Sequence, residues 1–242
     1  MEEMIVELKL LLIGAALAVG SWQDIKTREI DDRLWVVAGI AGGLLTVAEM
    51  ATTPAYPLLL AGFSILVTSL LAFGIYFLGL YGGADAKALL VIALAMPVNT
   101  FGTSLLPVFP LTVFGNSLVI SLMIIPACLV ANALRAGRGP LFAGVRASTL
   151  KKVAALFTGI RVSPGTAKSV HFNLIEWPLP SGGSELKLFR KVEEVDEPKH
   201  FVVGAKGVWV TVAIPMIVFF LGGFVLAVLG IDILITLITL IL

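Results

Sequence analysis

Long apolar stretches, separated by short polar or glycine-containing connections, dominate the pattern of hydrophobic and polar residues along this chain. A helix that crosses the hydrocarbon layer of a membrane needs about 20 mostly apolar residues, and the pattern contains six stretches of this kind. Pro97, Pro215, Gly222 and Gly223 predict kinks or broken ends in the fourth and sixth stretches. The six predicted transmembrane helices cover residues 4–23, 34–50, 58–80, 86–107, 111–134 and 207–229.

Lysine and arginine residues are concentrated in alternate connections between these helices. The first connection carries three of them, the third carries Lys87, and residues 135–206 carry 12 of the 17 in the chain. Residues 51–57 and 98–110 carry none. Because positively charged connections stay in the cytoplasm, the pattern predicts a multi-pass protein of the cell membrane with both termini outside.

The apolar pattern also predicts three parts of the chain. Residues 1–134 form a membrane domain of five helices, residues 135–206 form a basic cytoplasmic segment, and residues 207–242 hold the sixth helix and an apolar tail. The tail is short for a crossing, so it either packs at the membrane surface or continues the sixth helix. The predicted fold class is an all-α membrane protein with six transmembrane helices and a small cytoplasmic α/β-type segment before the last helix.

The basic segment has local patterns of its own. Apolar positions within residues 139–159 follow one helix face, which predicts an amphipathic helix lying on the membrane. Residues 170–177 and 185–192 alternate between apolar and polar side chains, as short strands do. The segment has a net charge of +6, which a solvated face beside the anionic cytoplasmic leaflet explains without a specific lipid or nucleic-acid site.

Composition agrees with a membrane protein and excludes several kinds of site. The 242 residues are 58% hydrophobic and 14% charged, and their net charge of +1 gives no overall field for nucleic acid. The lone Cys128 excludes an intrachain disulfide and a four-cysteine zinc site. His171 and His200 lack the local spacing of a metal site, so neither a metal nor an organic cofactor is expected.

Two aspartates lie at the predicted cytoplasmic ends of membrane helices. Asp24 follows the first helix, and Asp85 precedes the fourth, directly after Gly82, Gly83 and Ala84. The two glycines predict a tight turn that another chain approaches closely. Ionisable groups at membrane depth are costly and are therefore functional candidates. Two carboxyl groups held close together share a proton, which suits the acid and base steps of an aspartic protease.

Other roles for these aspartates stay open at this point. Asp85 would cap the fourth helix, and Asp24 would pair with Lys26 or Arg28, in a purely structural interpretation. Paired carboxylates in membranes also move protons or cations, so a small proton- or cation-coupled transporter using Asp24 and Asp85 is the alternative function. A non-catalytic assembly factor is a third possibility.

The sequence around both aspartates resembles a known family. The stretch Asp24-Ile-Lys-Thr-Arg-Glu-Ile and the stretch Gly-Gly-Ala-Asp ending at Asp85, with Lys87 behind it, are similar to motifs of the Gly-x-Gly-Asp aspartyl proteases. Within them the chain looks like the archaeal preflagellin and prepilin peptidases, relatives of the bacterial type IV prepilin peptidases. Ala84 stands where the bacterial pattern has glycine, which favours the archaeal branch.

The resemblance implies that the protein is a membrane-embedded aspartic endopeptidase. Such an enzyme would cleave short basic signal peptides from archaellin or type IV pilin-like precursors at the cytoplasmic face. Asp24 and Asp85 would be the catalytic residues, and the partners would be precursors with a basic leader and an apolar helix, within the lipid bilayer. Glu29, Asp31 and Asp32 would attract the leader, although an ordinary solvated loop explains these three equally well.

Overall fold

The computed structural model describes residues 2–102, 107–137, 139–179, 181–188 and 207–241. These residues form ten helices and six short strands, most of the structure being helical as predicted. In chain order the elements are α1 (Glu2–Thr27), α2 (Asp32–Thr52), α3 (Leu58–Phe77), α4 (Gly83–Ala95), α5 (Phe109–Ser121), α6 (Ile124–Ala136), β1 (Val145–Arg146), α7 (Thr149–Thr158), β2 (Gly159–Val162), α8 (Pro164–Ala167), β3 (Phe172–Leu174), β4 (Glu176–Pro178), β5 (Ser184–Leu186), β6 (Val208–Val212), α9 (Met216–Val228) and α10 (Ile233–Ile241).

The chain divides into two compact units, each with its own apolar core. The first unit comprises Met1–Ser121 and Pro215–Leu242, and the second comprises Leu122–Ile214. The first unit therefore contains both aspartates, whereas all six strands lie in the second. The three-part division predicted from the sequence, with limits at residues 134 and 206, stays a prediction about the arrangement in the membrane.

Four described helical segments are long and apolar enough to cross a membrane. They are α1, α2, α3 and the segment Phe109–Ala136 that α5 and α6 form together. The pair α9 and α10 makes a fifth if it is counted as one span bent by 72°. These helices support a multi-pass membrane protein with four or five such spans, and the predicted count of six is not confirmed.

The predicted fourth span, residues 86–107, differs most from the structure. Its helix α4 has only 13 residues, about 20 Å of rise, whereas the hydrocarbon layer is about 30 Å thick. Pro97 disfavours a helical conformation at Met96, where α4 ends. Residues 103–106 lie outside the described residues. Pro97 therefore ends α4 early. A kink or a broken end had been predicted at this proline.

Neighbouring helices satisfy the carbonyl groups at this early end. The Thr46 hydroxyl of α2 donates to the Ala95 carbonyl at 2.8 Å, and the Ser64 hydroxyl of α3 donates to the Pro97 carbonyl at 2.6 Å. Gly42 allows α2 to pack closely, because a Cβ there would lie 2.6 Å from the Ala95 Cβ. As a result α4 is the buried centre of the first unit, in contact with α1, α2, α3, α5 and α9.

The predicted sixth span, residues 207–229, is a strand followed by a helix. Its first part, β6, is rich in valine, which favours strands, and it pairs antiparallel with both β2 and β3. Val210 lies opposite Ile160 on one side and Leu174 on the other. Pro215 precedes α9, so this proline marks the start of a helix rather than a kink within one.

Helix α9 passes through Gly222 and Gly223 without a break, so these glycines do not form the broken end that was one of the two expectations. The chain bends later, between α9 and α10, and the bend is held by Asn116 of α5. The Asn116 Nδ2 donates to the Ile231 carbonyl at 2.8 Å, and the Ile233 amide donates to the Asn116 Oδ1 at 2.8 Å. The tail thus forms a separate helix instead of continuing α9 straight.

The two glycines of α9 give the first testable prediction. A Cβ at Gly223 would lie 2.5 Å from the backbone oxygen of Val113 and 2.3 Å from the Ser117 Oγ, so Gly223→Ala should destabilise the protein by about 1–3 kcal/mol. A Cβ at Gly222 would meet only the Ile120 Cδ1 at 3.4 Å, so Gly222→Ala is the matched control. Equal unfolding midpoints in detergent would contradict the close packing of α5 and α9.

The second unit contains two three-stranded sheets and α7. One sheet has the order β1-β5-β4, with β1 and β5 parallel, and the other has the order β2-β6-β3 and is antiparallel. The predicted strand at 170–177 is confirmed as β3 and β4, separated at Ile175. The predicted strand at 185–192 is represented by β5, and its residues 189–192 lie outside the described residues.

The amphipathic helix predicted within residues 139–159 is confirmed only for Thr149–Thr158, because Val145 belongs to β1. Leu150, Val153 and Phe157 of α7 are exposed and follow the spacing of one helix face. This exposed apolar face fits the predicted position on a membrane surface, which stays a prediction.

Candidate active site

Asp24 lies in the last turn of α1, with 8% of its surface exposed. The Arg28 Nη1 donates to the Asp24 Oδ1 at 3.2 Å, and both side chains are mostly buried. Arg28 has a φ of 63°, the left-handed conformation that glycine usually provides at the end of a helix. The chain therefore leaves α1 at Arg28 while the guanidinium group of this residue stays on the aspartate.

Asp85 lies in the first turn of α4, where the Gly82 amide donates to the Asp85 Oδ2 at 3.0 Å. A carboxylate at this position also interacts favourably with the positive end of the helix dipole. The local contacts that the structural interpretation expected are thus present for both aspartates. They are compatible with catalysis, because a catalytic side chain has to be held in place by contacts of this kind.

Helices α1 and α4 contact each other, and the charge of Asp24 acts on Asp85. Asp85 precedes the predicted fourth span, and burial raises its pKa to about 6. The Gly82 amide lowers the pKa of Asp85, the charge of Asp24 raises it, and the charge of Arg28 lowers it, each by less than burial does. Asp85 therefore keeps its proton in a substantial fraction of molecules near pH 6.

Gly82 and Gly83, beside Asp85, do not have the role in a tight turn that the sequence predicted for them. Gly82 has a φ of −74°, and a Cβ at Gly82 or Gly83 would make only ordinary contacts, with the Asp85 Oδ2 at 3.4 Å and the Tyr76 Cε2 at 3.6 Å. The left-handed turn after α3 is made by Gly79, with a φ of 67°. Neither a strained backbone nor a close contact therefore requires glycine at positions 82 and 83, and Ala84 follows them inside the first turn of α4.

The three acidic residues after Asp24 have different surroundings, although all are exposed. The Asp31 carboxylate caps α2 by accepting from the Arg33 amide at 2.9 Å, and Asp32 forms an ion pair with Lys87 of α4. The Glu29 carboxylate has no side-chain partner among the described residues. Asp31 thus serves a helix cap and Asp32 pairs with α4, whereas Glu29 remains available to a ligand.

Two residues at this site were not singled out from the sequence, and Arg28 was named there only as one of two possible partners of Asp24. The spacing of four residues between Asp24 and Arg28 in a helix favours Arg28 over Lys26 as that partner. Ser21 lies three residues before Asp24, and its buried hydroxyl has no partner among the described residues. Burial and the charge of Asp85 raise the pKa of Tyr81, just before the glycine motif.

Comparison with known proteins agrees with this arrangement. Residues 11–125 match the Type IV leader peptidase family, and this region contains both aspartates. Preflagellin peptidases from Methanococcus maripaludis, Methanococcus voltae and Methanocaldococcus jannaschii are 28%, 26% and 29% identical to the chain. The alignments cover 86%, 84% and 86% of this chain and 88%, 86% and 87% of the three relatives. Residues 11–125 of the chain are thus similar to the Type IV leader peptidase family, and the chain is similar over most of its length to archaeal preflagellin peptidases.

Proposed function

We propose that this protein is a membrane-embedded aspartic endopeptidase that removes short basic leader peptides from archaellin or type IV pilin-like precursors. The observation that carries the proposal is the pair of Asp24 and Asp85, two largely buried carboxyl groups on contacting helices, within the region matched to a peptidase family. The substrate class follows from the relatives, which are preflagellin peptidases by name.

Cleavage at the cytoplasmic face is part of the proposal. The basic connection between α1 and α2 lies directly beside Asp24, and such connections stay in the cytoplasm. Pro97 and Val98, just past α4, line a surface pocket together with Glu3 and Glu49 from the far ends of α1 and α2. The start of α1, the end of α2 and the end of α4 therefore lie together, away from Asp24, which supports the predicted placement of the N-terminus outside.

The reaction needs one ionised and one protonated carboxyl group. The ionised group takes a proton from water, the water oxygen bonds to the scissile carbonyl carbon, and the protonated group donates its proton to the carbonyl oxygen. The carbon–nitrogen bond then breaks, the first carboxyl group gives its proton to the leaving nitrogen, and the second recovers a proton from the gem-diol. The sum is hydrolysis of one peptide bond, and both carboxyl groups return to their starting states.

Cleavage of a defined precursor tests this proposal. Detergent-solubilised protein should convert a precursor with a short basic leader and an apolar helix to a shorter product, seen as a gel shift. Mass spectrometry should place the new N-terminus at the leader boundary. If several archaellin and pilin-like precursors stay intact while the protein conducts protons or cations in proteoliposomes, the transporter alternative replaces the peptidase.

The acidic side chains in the connection between α1 and α2 give a further prediction about leader recognition. Glu29 and Asp31 line a surface pocket with Trp22 at the end of α1, so Glu29→Lys should repel a basic leader. We expect kcat/KM to fall about two- to fivefold, the size of an exposed charge interaction, and the loss should shrink at high salt. Glu3→Lys, at the other end of α1, makes the same charge change as a control. Equal effects of both variants would mean that the connection does not attract the leader.

A further inference from the structure

A groove between α2 and α4 lies on the surface of the first unit. It encloses about 600 Å³ and is lined by one face of each helix. Val36, Ile40 and Leu44 of α2 recur every four residues along it, and Leu90 and Leu94 line it from α4. From the first to the last of these α2 residues the groove is about 12 Å long, or roughly two helical turns. Four of the five side chains are exposed, so the groove is an uncovered apolar surface.

Two glycines of α2, Gly39 and Gly43, also line the groove. A Cβ at Gly43 would meet no described atom within 4 Å, and a Cβ at Gly39 would make an ordinary contact with the Val91 Cγ2 at 3.4 Å. Gly42 differs, because a Cβ there would clash with Ala95. Helices in lipid associate through close packing, and small residues let a second backbone approach. Gly43 therefore leaves room for another chain that the packing of α2 on α4 does not use.

Trp35 lines the groove near the start of α2 and carries a donor without an acceptor. This residue is 3% exposed, and its Nε1 has no hydrogen-bond partner among the described residues. A buried indole N–H usually has a partner. A carbonyl oxygen of a bound chain would supply it, provided that this carbonyl is not already bonded within a helix.

The groove begins at the end of the helices where the aspartates lie. Lys87 lines it two residues after Asp85, and Trp35 lines it near the start of α2. The exposed carboxylates of Glu29 and Asp31, in the connection before α2, lie at this end too. Acidic side chains, the two aspartates and an apolar groove therefore follow one another into the first unit. A basic leader, the cleaved bond and an apolar helix follow one another in the same order in the proposed substrate.

We propose that this groove binds the first two turns of the apolar helix of a precursor, while the chain just before that helix is extended and reaches the two aspartates. This inference rests on the peptidase function proposed above and adds to it the surface that recognises the substrate. A carbonyl of the extended segment accepts from the Trp35 Nε1.

The geometry of α4 sets the length of the extended segment. Asp85 and Lys87 are two residues apart and do not share a face of the helix, so the bound chain passes around the start of α4. A helix is about 10 Å wide and an extended residue spans about 3.3 Å, so about three extended residues separate the cleaved bond from the helix in the groove.

Filling the groove tests the inference. Gly43→Leu places a side chain in open space and should fold at least as well as the wild type. The kcat/KM for a precursor with an apolar helix should fall about ten- to hundredfold, because the added side chain keeps that helix out. The loss should come from a higher KM, since binding is what the variant removes. Gly62→Leu is the matched control on α3, where a Cβ likewise meets no described atom within 4 Å, and it should cleave like the wild type.

A crosslink identifies the occupant of the groove. Ile40→Cys should form a disulfide with a cysteine placed in the first two turns of the precursor helix, with Asp85→Asn added so that the precursor stays uncut. Crosslinking should begin about four residues after the leader boundary, beyond the extended segment. Phe63→Cys on α3 is 56% exposed, close to the 62% of Ile40, and should not crosslink. The native Cys128 is buried and does not compete.

Three results would overturn the inference. Equal kcat/KM values for Gly43→Leu and the wild type would mean that lipid alone fills the groove, and a loss in kcat with an unchanged KM would place the effect at the aspartates. A disulfide between two copies of the Ile40→Cys chain, in place of one with the precursor, would make the groove an interface between copies. If Gly43→Leu does not fold, the crosslink carries the test. Absence of cleavage by the wild type is a separate failure, that of the proposed function itself.

Discussion

Asp24→Asn and Asp85→Asn should each lower the rate of precursor cleavage by about 10²–10⁴-fold, the usual contribution of one positioned general acid or base. Asparagine keeps the shape of the side chain but neither gains nor releases a proton in the working range. The two groups act on the same water and carbonyl group, so the double variant should be little slower than either single variant. A single-turnover assay with excess protein would measure all three rates.

Asp232→Asn is the matched control for these substitutions. Asp232 caps α10 by accepting from the Ile235 amide at 3.1 Å, and asparagine caps helices about as well. This variant should cleave at the wild-type rate. Wild-type cleavage by Asp24→Asn or Asp85→Asn would instead show that the pair is not the catalytic centre, and the search would move to other residues of the matched region.

The first three helices could be predicted from the sequence because each is a complete apolar run. The predicted spans 4–23, 34–50 and 58–80 correspond to α1, α2 and α3, and differences occur only at the ends. The apolar pattern alone is sufficient there, since a single helix in lipid satisfies its own backbone groups. The two aspartates were singled out because each lies at the predicted end of such a helix, and an ionisable group at membrane depth is costly.

The parts that could not be predicted depend on contacts between distant segments. Helix α4 ends before Pro97, and the carbonyls of Ala95 and Pro97 at this end accept hydrogen bonds from the hydroxyl groups of Thr46 and Ser64, which are distant in the sequence. Strand β6 is as apolar as a membrane helix, so hydropathy does not distinguish the two. Pairing with β2 and β3 makes these residues a strand. Likewise the left-handed backbone of Arg28 has no signature in a stretch without glycine.

Breaking the ion pair between Lys9 and Glu49 should cause the largest loss of stability among the variants considered. Lys9 is 2% exposed inside α1, and its ammonium group meets Glu49 of α2. Glu49→Gln would leave a buried positive charge without a counter-charge, which typically costs about 3–5 kcal/mol. The double variant Lys9→Met with Glu49→Gln removes both charges and should recover most of this loss. Unfolding in mixed detergent micelles would measure the free energies of all variants in one double-mutant cycle.

The exposed pair of Lys87 and Asp32 provides the comparison for this cycle. Its side chains are 44% and 69% exposed, so Lys87→Met should cost no more than about 1 kcal/mol, and the double variant with Asp32→Asn should show little coupling. Both ion pairs join two helices of the first unit, and the two pairs differ in how deeply they are buried. A large coupling energy for Lys9 and Glu49 with a small one for Lys87 and Asp32 would establish the buried pair as the electrostatic link between α1 and α2. Equal and small couplings would mean that packing alone holds these helices together.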